Sequence, residues 1–374
     1  MKFLILTWDY PDFLRWLYDE DLRLSDATYE QQQQARIETL FGGPDIYSGT
    51  LRKLGHEAHD IYWNNESMQV AWTRENGLRI PTAEQWTFRL RRGIVPWVSR
   101  VRKPERRLYQ ILSEQIERYK PDVLFNQAMD TIDSRFIKDM KAHTRLLMGQ
   151  HAAPLPERVD LGCYDLLVSS LPDLVDAFRK SGVPAELNRL GYDPRWRSCA
   201  DGDARVFDVT FIGNLFNVHS SRMTVLETLC ARLPQLKIWA PNITHVPAGS
   251  PIRDAYQGPA WGRQMYRVLS RSKITVNNHG DFAPYANNGR LYEATGMGAL
   301  LVTDWKPNLP ELFEPGREVV AYRSPEECAD LIGYYLEHDD EREAIARKGQ
   351  RRTEIDHAHD DRIRELVDIV TKYV

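Results

Sequence analysis

The chain of 374 residues is 42% hydrophobic and 27% charged, and this length and composition fit two globular domains of ordinary size. Its formal net charge of −4 gives no overall attraction to nucleic acid, and no apolar run reaches the roughly 20 residues that span a bilayer, so neither a nucleic-acid partner nor a membrane span is expected. The four cysteines lie far apart without a CxxC pair, which argues against a zinc ribbon or a dense disulfide framework and predicts a cytoplasmic protein.

The first 200 residues alternate short apolar strands with helical segments, which is the pattern of a Rossmann-like α/β domain. We predict strands at residues 2–8, 59–63, 122–127, 145–150 and 165–170. The segments 9–40 and 64–105 exceed normal loop length, so we expect insertions along the working edge of this domain. Pro194 and Gly202 interrupt any periodic pattern after residue 191, which places a domain boundary near residue 200.

Residues 206–353 show the same alternation more clearly and predict a second Rossmann-like domain on a parallel sheet. Its predicted strands lie at 206–213, 236–240, 273–278, 299–304 and 318–322, and its predicted helices at 219–233, 262–272, 288–296 and 325–338. The last segment, 354–374, carries Ile363, Leu366, Val367 and Val370 on one stripe. We therefore expect a final helix whose single apolar face docks on another part of the chain.

Ligands of open parallel sheets bind beyond the carboxyl ends of the strands, so the segments that follow residues 213, 278 and 304 should line one crevice. In the first of these, Gly213 and Asn214 allow close approach of the backbone, and a helix N-terminus follows that suits a diphosphate. A plain turn is the alternative interpretation of this glycine.

The second segment, HGDFAPYANNGR at 279–290, mixes amide, imidazole, carboxylate and phenol groups, which suits a ligand rich in hydroxyls. The predicted helix that follows places Arg290 and Glu293 on one face, where a guanidinium can reach phosphate and a carboxylate can hold a ribose diol. The alternative is a surface ion pair worth well under about 1 kcal/mol.

The same region resembles the C-terminal domain of GT-B glycosyltransferases, specifically the CgeB-like (spore-maturation-type) group. The matching pattern is Asn288-x-Arg290-x-Tyr292-Glu293, then Gly296-x-Gly298-Ala299 and the strand to Thr303-Asp304, followed by LPELF, EVVAY and the PEE helix start. Residues 47–63 and 164–195 are similar to the same group. The resemblance covers most of the chain and is strong from about residue 206 onward.

This resemblance implies two Rossmann-like domains facing across a cleft, with an acceptor-binding domain (1–200), a nucleotide-sugar-binding domain (206–353) and a C-terminal helix (354–374) that crosses back to the first domain. It implies a glycosyltransferase that uses a nucleotide-sugar donor, with a UDP-sugar preferred on family frequency, and no metal or other cofactor. Glu293 is then expected to hold the ribose and Arg290 the diphosphate. The full set of expected donor-binding residues is Gly213, Asn214, Arg222, His279, Tyr285, Asn287, Asn288, Arg290 and Glu293.

An inverting transfer needs a base from the first domain to deprotonate the acceptor hydroxyl, whereas a retaining transfer does not, and the sequence leaves both courses open. The candidate bases follow predicted strands, and they are Asp130, His151 and Asp12, with Asp9 and Asp133 beside them. We expect the insertion at 9–40 to shape the acceptor site.

No metal site is predicted from the two clusters that contain ligand-type residues. The DGD at 201–203 lies in the predicted linker, and His357 and His359 are expected to point to different sides of a solvated helix start.

Residues 89–107 carry eight basic residues and one acidic one, which favours a solvated basic face and leaves contact with an anionic membrane surface or acceptor as the alternative. Two other functions share the expected architecture: a sugar-nucleotide epimerase, and a non-catalytic nucleotide-sugar-binding protein. A nicotinamide dehydrogenase is disfavoured because no GxGxxG follows a predicted strand. The sequence does not specify the donor base and sugar, the acceptor or the oligomeric state.

Overall fold

The computed structural model describes residues 1–80, 84–91, 95–102, 104–200, 202, 204–215, 220–282 and 284–374. Two separate parallel sheets, each with helices packed against it, make up the molecule. The α/β class and the arrangement of two Rossmann-like units predicted from the sequence are confirmed.

The first sheet contains six parallel strands in the order β2-β1-β5-β6-β7-β8. The strands of this half are β1 (Lys2–Thr7), β2 (Glu57–Tyr62), β3 (Glu84–Arg91), β4 (Val95–Arg102), β5 (Val123–Asn126), β6 (Leu146–Gln150), β7 (Leu166–Ser169) and β8 (Ala185–Leu187). Phe3, Leu4, Ile5 and Leu6 are all buried, as expected for a central parallel strand that is covered on both faces.

The helices of this half are α1 (Pro11–Glu20), α2 (Tyr29–Glu38), α3 (Ile46–Lys53), α4 (Glu66–Glu75), α5 (Pro104–Tyr119), α6 (Ser134–Met140) and α7 (Pro172–Lys180). The two long segments contain regular structure that the sequence did not reveal. The first holds α1 and α2, and Thr28 and Gln31 form a capping box at the start of α2. The second holds α4 and the antiparallel hairpin of β3 and β4. The side chains of residues 89–104, which carry most of the predicted basic face, lie outside the described residues.

The second sheet contains five parallel strands in the order β10-β9-β11-β12-β13. These strands are β9 (Phe207–Ile212), β10 (Leu236–Trp239), β11 (Ser272–Asn277), β12 (Leu300–Asp304) and β13 (Val320–Tyr322). The accompanying helices are α8 (Ser220–Arg232), α9 (Ile252–Ala255), α10 (Arg263–Ser270), α11 (Gly289–Gly296), α12 (Leu309–Leu312), α13 (Pro325–Glu337), α14 (Asp339–Asp356) and α15 (His359–Thr371). Every predicted strand of this half is present, with ends that differ by one or two residues.

The terminal helix α15 crosses back and packs on α3 of the first half. Ile363, Leu366 and Val370 are buried in the same apolar cluster as Phe3 and Leu51. The helix begins at His359 instead of residue 354, because α14 continues to Asp356 and the chain then turns. No described helix is long and apolar enough to cross a membrane.

The turn between α14 and α15 contradicts the expectation of a solvated helix start. His357 and His359 are only 3% and 8% exposed. The backbone of Tyr192 donates to the His357 carbonyl (2.7 Å) and accepts from the His359 amide (2.9 Å). The two histidines are buried because this turn docks on the segment that joins the two sheets, a contact between residues more than 160 positions apart.

Candidate functional site

Each sheet has a switch point, the place where successive strands are added on opposite sides of the first one. In the first sheet it lies between β1 and β5, and in the second between β9 and β11. Crevices for ligands form above the carboxyl ends of the strands at such points. The loops that follow these four strands therefore define where a ligand should bind.

A cavity of about 200 Å³ lies beyond the carboxyl ends of β9 and β10, next to the switch point of the second sheet, and is closed on one side by the first half of the chain. The second half contributes the loop after β9, the loop after β10, the start of α10 and one side chain of α11. The first half contributes two aromatic rings. The lining residues are Tyr10, Phe41, Ile212, Gly213, Asn214, Trp239, Ala240, Pro241, Ala260, Trp261, Met265 and Arg290.

Arg290 is the basic side chain of this cavity, and it is largely buried. Its Nη1 lies 2.8 Å from Glu293 Oε2, and the two side chains are 12% and 13% exposed, so the pair is not the surface ion pair considered from the sequence. Nη2 donates to Met265 Sδ at 3.4 Å. Neither Nε nor Nη1 completes a well-aligned hydrogen bond. Buried donors of this kind normally have a partner, so an anionic or strongly accepting ligand fits here.

Arg222, by contrast, donates its hydrogen bonds to backbone carbonyls of the protein. Its Nη1 donates to the carbonyl of Asn214 (2.6 Å) and its Nη2 to the carbonyl of Asn278 (2.7 Å), which joins the loops after β9 and β11. Burial lowers the pKa of Arg222 to about 10. The side chain holds the two loops of the switch point at a fixed separation.

His279 and Asp304 form a pair at the carboxyl ends of β11 and β12. Asp304 Oδ1 accepts from the backbone N–H of His279 (2.9 Å) and lies 2.7 Å from its Nδ1. Burial raises the pKa of Asp304, but the hydrogen bond and charge of His279 outweigh it and hold that pKa below its ordinary value. The His279 Nε2 atom is buried and has no hydrogen-bond partner among the residues that the structure describes. The pair thus fixes the ring through Nδ1 and leaves Nε2 available to a ligand.

The amides predicted to bind hydroxyls are engaged within the protein. Asn288 donates to Asn277 Oδ1 (2.9 Å), and Asn287 donates to the Ser170 carbonyl of the first half (2.8 Å) while accepting from Tyr292 (2.8 Å). These contacts hold the start of α11 against β11 and against the first sheet. Tyr285 is half-buried in the loop that precedes them.

Among the candidate bases, Asp130 and His151 lie together at the first sheet. Burial lowers the pKa of His151, and the nearby Asp130 carboxylate opposes that shift. The same carboxylate, after burial of the phenol oxygen, raises the pKa of Tyr10, which lines the cavity. The His151 Nε2 atom is buried, and no atom in the described part of the chain forms a hydrogen bond with it. Of these three residues, Tyr10 lines the cavity, and the Asp130 charge acts on it from the first sheet.

The remaining acidic candidates make other contacts. Asp12 pairs with Arg15 (3.2 Å) and accepts from Asn242 Nδ2 of the second half (3.2 Å). Asp9 is 2% exposed and bound to Arg36. Asp133 caps α6 by accepting from the backbone of Arg135. Within the described ranges, no three His, Cys, Asp or Glu side chains come together as a metal site.

The aromatic walls of the cavity were not foreseen from the sequence. A signal was present in GPAWG at 258–262, directly before α10, because two glycines bracket a tryptophan. Gly258 and Gly262 both have positive φ, +93° and +52°, which turns the chain so that Trp261 faces the cavity. Tyr10 and Phe41 gave no such signal because their position depends on packing between the two halves.

Residues 222–368 match the sequence model of a family described as glycosyl transferase-like. The whole chain is similar in structure to Anabaena HepE in complex with UDP-glucose, with a TM-score of 0.60, 10% identity and coverage of 100% of both chains. The chain has the GT-B fold. No protein in the curated comparison matches it in sequence.

Two further solved structures share this GT-B architecture. The pneumococcal O-GlcNAc transferase GtfA in complex with UDP and GlcNAc gives a TM-score of 0.57 at 9% identity, over 100% of this chain and 99% of GtfA. A putative UDP-N-acetylglucosamine 2-epimerase from Listeria monocytogenes gives 0.53 at 10% identity, over 99% and 95%. At identities of 9–10%, these similarities show the fold alone. The reaction has to be inferred from the residues of the site.

Proposed function

We propose that this protein is a glycosyltransferase that moves a sugar from a nucleotide-sugar donor, preferably a UDP-sugar, to an acceptor hydroxyl without a metal ion. The observation that carries the proposal is the buried guanidinium of Arg290. Its Nε donor has no hydrogen-bond partner among the described residues, its Nη1 pairs with Glu293 at 2.8 Å, and the side chain lines an aromatic-walled cavity beyond the carboxyl ends of β9 and β10. A nucleotide diphosphate supplies both the anion and the flat ring that such a site accepts.

In this proposal Arg290 binds the donor diphosphate, and Glu293 accepts hydrogen bonds from the ribose hydroxyls. Glu293 is suited to that task because its ion pair with Arg290 at 2.8 Å holds the carboxylate, which is 13% exposed, in place beside the cavity. Gly213 and Asn214 bring backbone close to the ligand. The complexes of HepE with UDP-glucose and of GtfA with UDP and GlcNAc support a uridine nucleotide as the first donor to test.

The transfer breaks the bond between the anomeric carbon and the diphosphate oxygen, and the acceptor oxygen forms the new bond to that carbon. Arg290 and the N-terminus of α11 stabilise the charge that develops on the departing diphosphate. In an inverting reaction we assign the acceptor proton to His151, because burial keeps its imidazole unprotonated and Asp130 lies beside it. We further place the protein in the CgeB-like group and its reaction in cytoplasmic glycan biosynthesis.

The test is a calorimetric binding panel of UDP, GDP, dTDP, CDP and their common sugars on the full-length protein. We expect one nucleotide to bind selectively and the Glu293→Ala variant to lose at least about tenfold in affinity. Binding of none of these ligands to the folded wild-type protein would overturn the proposal.

The panel is followed by product analysis with the nucleotide sugar that binds. Release of the nucleotide together with a glycosylated acceptor identifies a transferase. An epimerised donor formed without any acceptor identifies the epimerase that shares this architecture, and binding without turnover identifies a nucleotide-sugar-binding protein.

A further inference from the structure

The cavity at the second sheet is closed by two aromatic rings of the first half, Tyr10 and Phe41. Phe41 meets Trp261 edge to face, with ring centroids 4.9 Å apart. Tyr10 lies 6.2 Å from Phe41 and 6.5 Å from Trp261, and 47% of its surface is exposed. The three rings form a continuous wall to which each half of the chain contributes.

One guanidinium holds the backbone beside both first-half rings. Arg36 is 4% exposed and donates through Nε and Nη2 to the carboxylate of Asp9, the residue before Tyr10, at 3.0 and 2.6 Å. Its Nη1 donates to the carbonyl of Phe41 at 2.9 Å. The rings of Phe13 and Tyr62 lie 4.8 Å from this guanidinium. A planar fork is needed to make these bonds together, and lysine cannot replace it.

The segment that ends at Phe41 also fits closely against the start of α10. Arg263 Nε donates to the Glu38 carbonyl (2.7 Å), and the Tyr266 hydroxyl donates to the Leu40 carbonyl (3.1 Å). A Cβ atom on Gly262 would collide with the carbonyl oxygen of Thr39. These contacts fix Phe41 relative to Trp261. The width of the cavity therefore depends on contacts between the two halves of the chain.

We propose that Tyr10 and Phe41 form the first-half wall of the nucleobase pocket and that Arg36 is their positioning residue. This inference rests on the proposed function. The donor heterocycle then contacts both halves of the chain, and the insertion at 9–40, together with the adjoining Phe41, takes part in the choice of the donor base. Aromatic rings favour flat heterocycles over the phosphate and sugar parts of a ligand, so the effect of these residues is confined to the base.

The test compares UDP with inorganic pyrophosphate, which lacks the base, by calorimetry and by competition on the full-length protein. We expect Tyr10→Ala and Phe41→Ala each to weaken UDP at least about fivefold and to leave pyrophosphate within about twofold of wild type. Tyr10→Phe, which keeps the ring, should restore the UDP affinity. Tyr334→Ala, at an exposed ring on α13, is the matched control and should change neither.

Arg36→Lys tests the positioning role. We expect it to lower UDP affinity selectively, whereas a purely structural role would lower the melting temperature and leave the ratio of UDP to pyrophosphate affinity unchanged. Wild-type UDP affinity in both Tyr10→Ala and Phe41→Ala, with UDP binding lost in Arg290→Gln, would overturn this inference and leave the proposed function standing. A wild-type protein that binds no nucleotide would overturn both.

Discussion

The ring of Tyr192 occupies the space that a Cβ atom on Gly296 would need. Tyr192 is 1% exposed and lies in the segment between the two sheets, and its hydroxyl donates to the Gly296 carbonyl at 3.4 Å. Its backbone also holds the turn between α14 and α15. The missing side chain of Gly296 thus makes room for the segment that connects the two sheets. Tyr192 thereby joins α11, the segment between the two sheets and the turn that leads into α15.

We therefore predict that Gly296→Ala destabilises the protein by about 1 to 3 kcal/mol, the usual cost of forcing an extra carbon into a packed interior. Urea unfolding measures the change. Gly333→Ala is the control, because Gly333 lies in α13 and no described atom beyond its own stretch of helix comes within 4 Å of its missing Cβ. There the higher helix propensity of alanine should be neutral or stabilising. Equal stability of the two variants would mean that Tyr192 moves aside without cost.

A second prediction concerns the charge of Arg290. Arg290→Gln should weaken binding of the preferred nucleotide at least about tenfold, because it removes the donors that we assign to the diphosphate. Calorimetry measures the affinity, and the melting temperature checks that the variant is folded.

The chain offers a matched control for this variant. Arg317 and Glu314 also form an ion pair three residues apart, at 3.0 Å, but their side chains are 62% and 57% exposed. Arg317→Gln should leave nucleotide affinity unchanged. If both variants bind like wild type, Arg290 belongs to an ordinary ion pair and the site assignment fails.

The sequence predicted the parts of this molecule that depend on local pattern. Runs such as KITVNN are rich in β-branched residues and correspond to real strands, here β11 at Ser272–Asn277. The Arg290 and Glu293 pair was also found, because helical periodicity alone puts the two residues on one face. The buried state of the pair was not predictable, since it depends on Met265 and the loops around it.

The parts that were missed depend on contacts between distant residues. The wall of Tyr10 and Phe41 requires the bond from Arg36 to Asp9, 27 positions apart, and the insertion that carries them has no strand period. His357 was expected at a solvated helix start, whereas its Nε2 donates a hydrogen bond to the Leu312 carbonyl, 45 positions away. Burial of polar residues is a tertiary property that composition does not encode.

A third prediction separates the candidate bases. His151→Gln should reduce kcat by roughly 10²- to 10⁴-fold, the usual contribution of a general base, with nucleotide affinity unchanged. The rate is that of nucleotide release from the donor selected by the binding panel. A loss of rate in Asp12→Asn instead, with His151→Gln active, would transfer the role to Asp12.

The pH profile adds a fourth prediction for the same pair. The Asp130 carboxylate opposes the lowering of the His151 pKa, so Asp130→Asn should lower that pKa further. The acidic limb of the kcat/KM profile is then expected to move to lower pH. An unmoved limb in this variant would show that His151 does not control the profile.

The last prediction concerns acid stability at the turn that joins the crossing helix to the rest of the molecule. Burial lowers the pKa of His357 to about 4; its bond to the Leu312 carbonyl opposes that shift, and the charge of Arg362 adds to it. Burial likewise lowers the pKa of His359 to about 4. Both pKa values lie below the ordinary value of 6.5, so the neutral rings stabilise the fold above pH 6.5. This stability is lost as the pH falls towards 4, by up to roughly 3 kcal/mol for each ring.

Urea unfolding between pH 7 and pH 4.5 measures this loss in the wild type and in the double variant His357→Gln/His359→Gln. Other groups titrate in both proteins, including Asp60, whose pKa burial raises to about 7, so the difference between the two curves isolates the histidines. We expect the double variant to be less stable at pH 7 and to lose less stability on acidification. His338→Gln, at an exposed ring, should follow the wild-type curve. A double variant parallel to wild type across this range would mean that the turn opens before either histidine is protonated, and the crossing helix would then not be held by their burial.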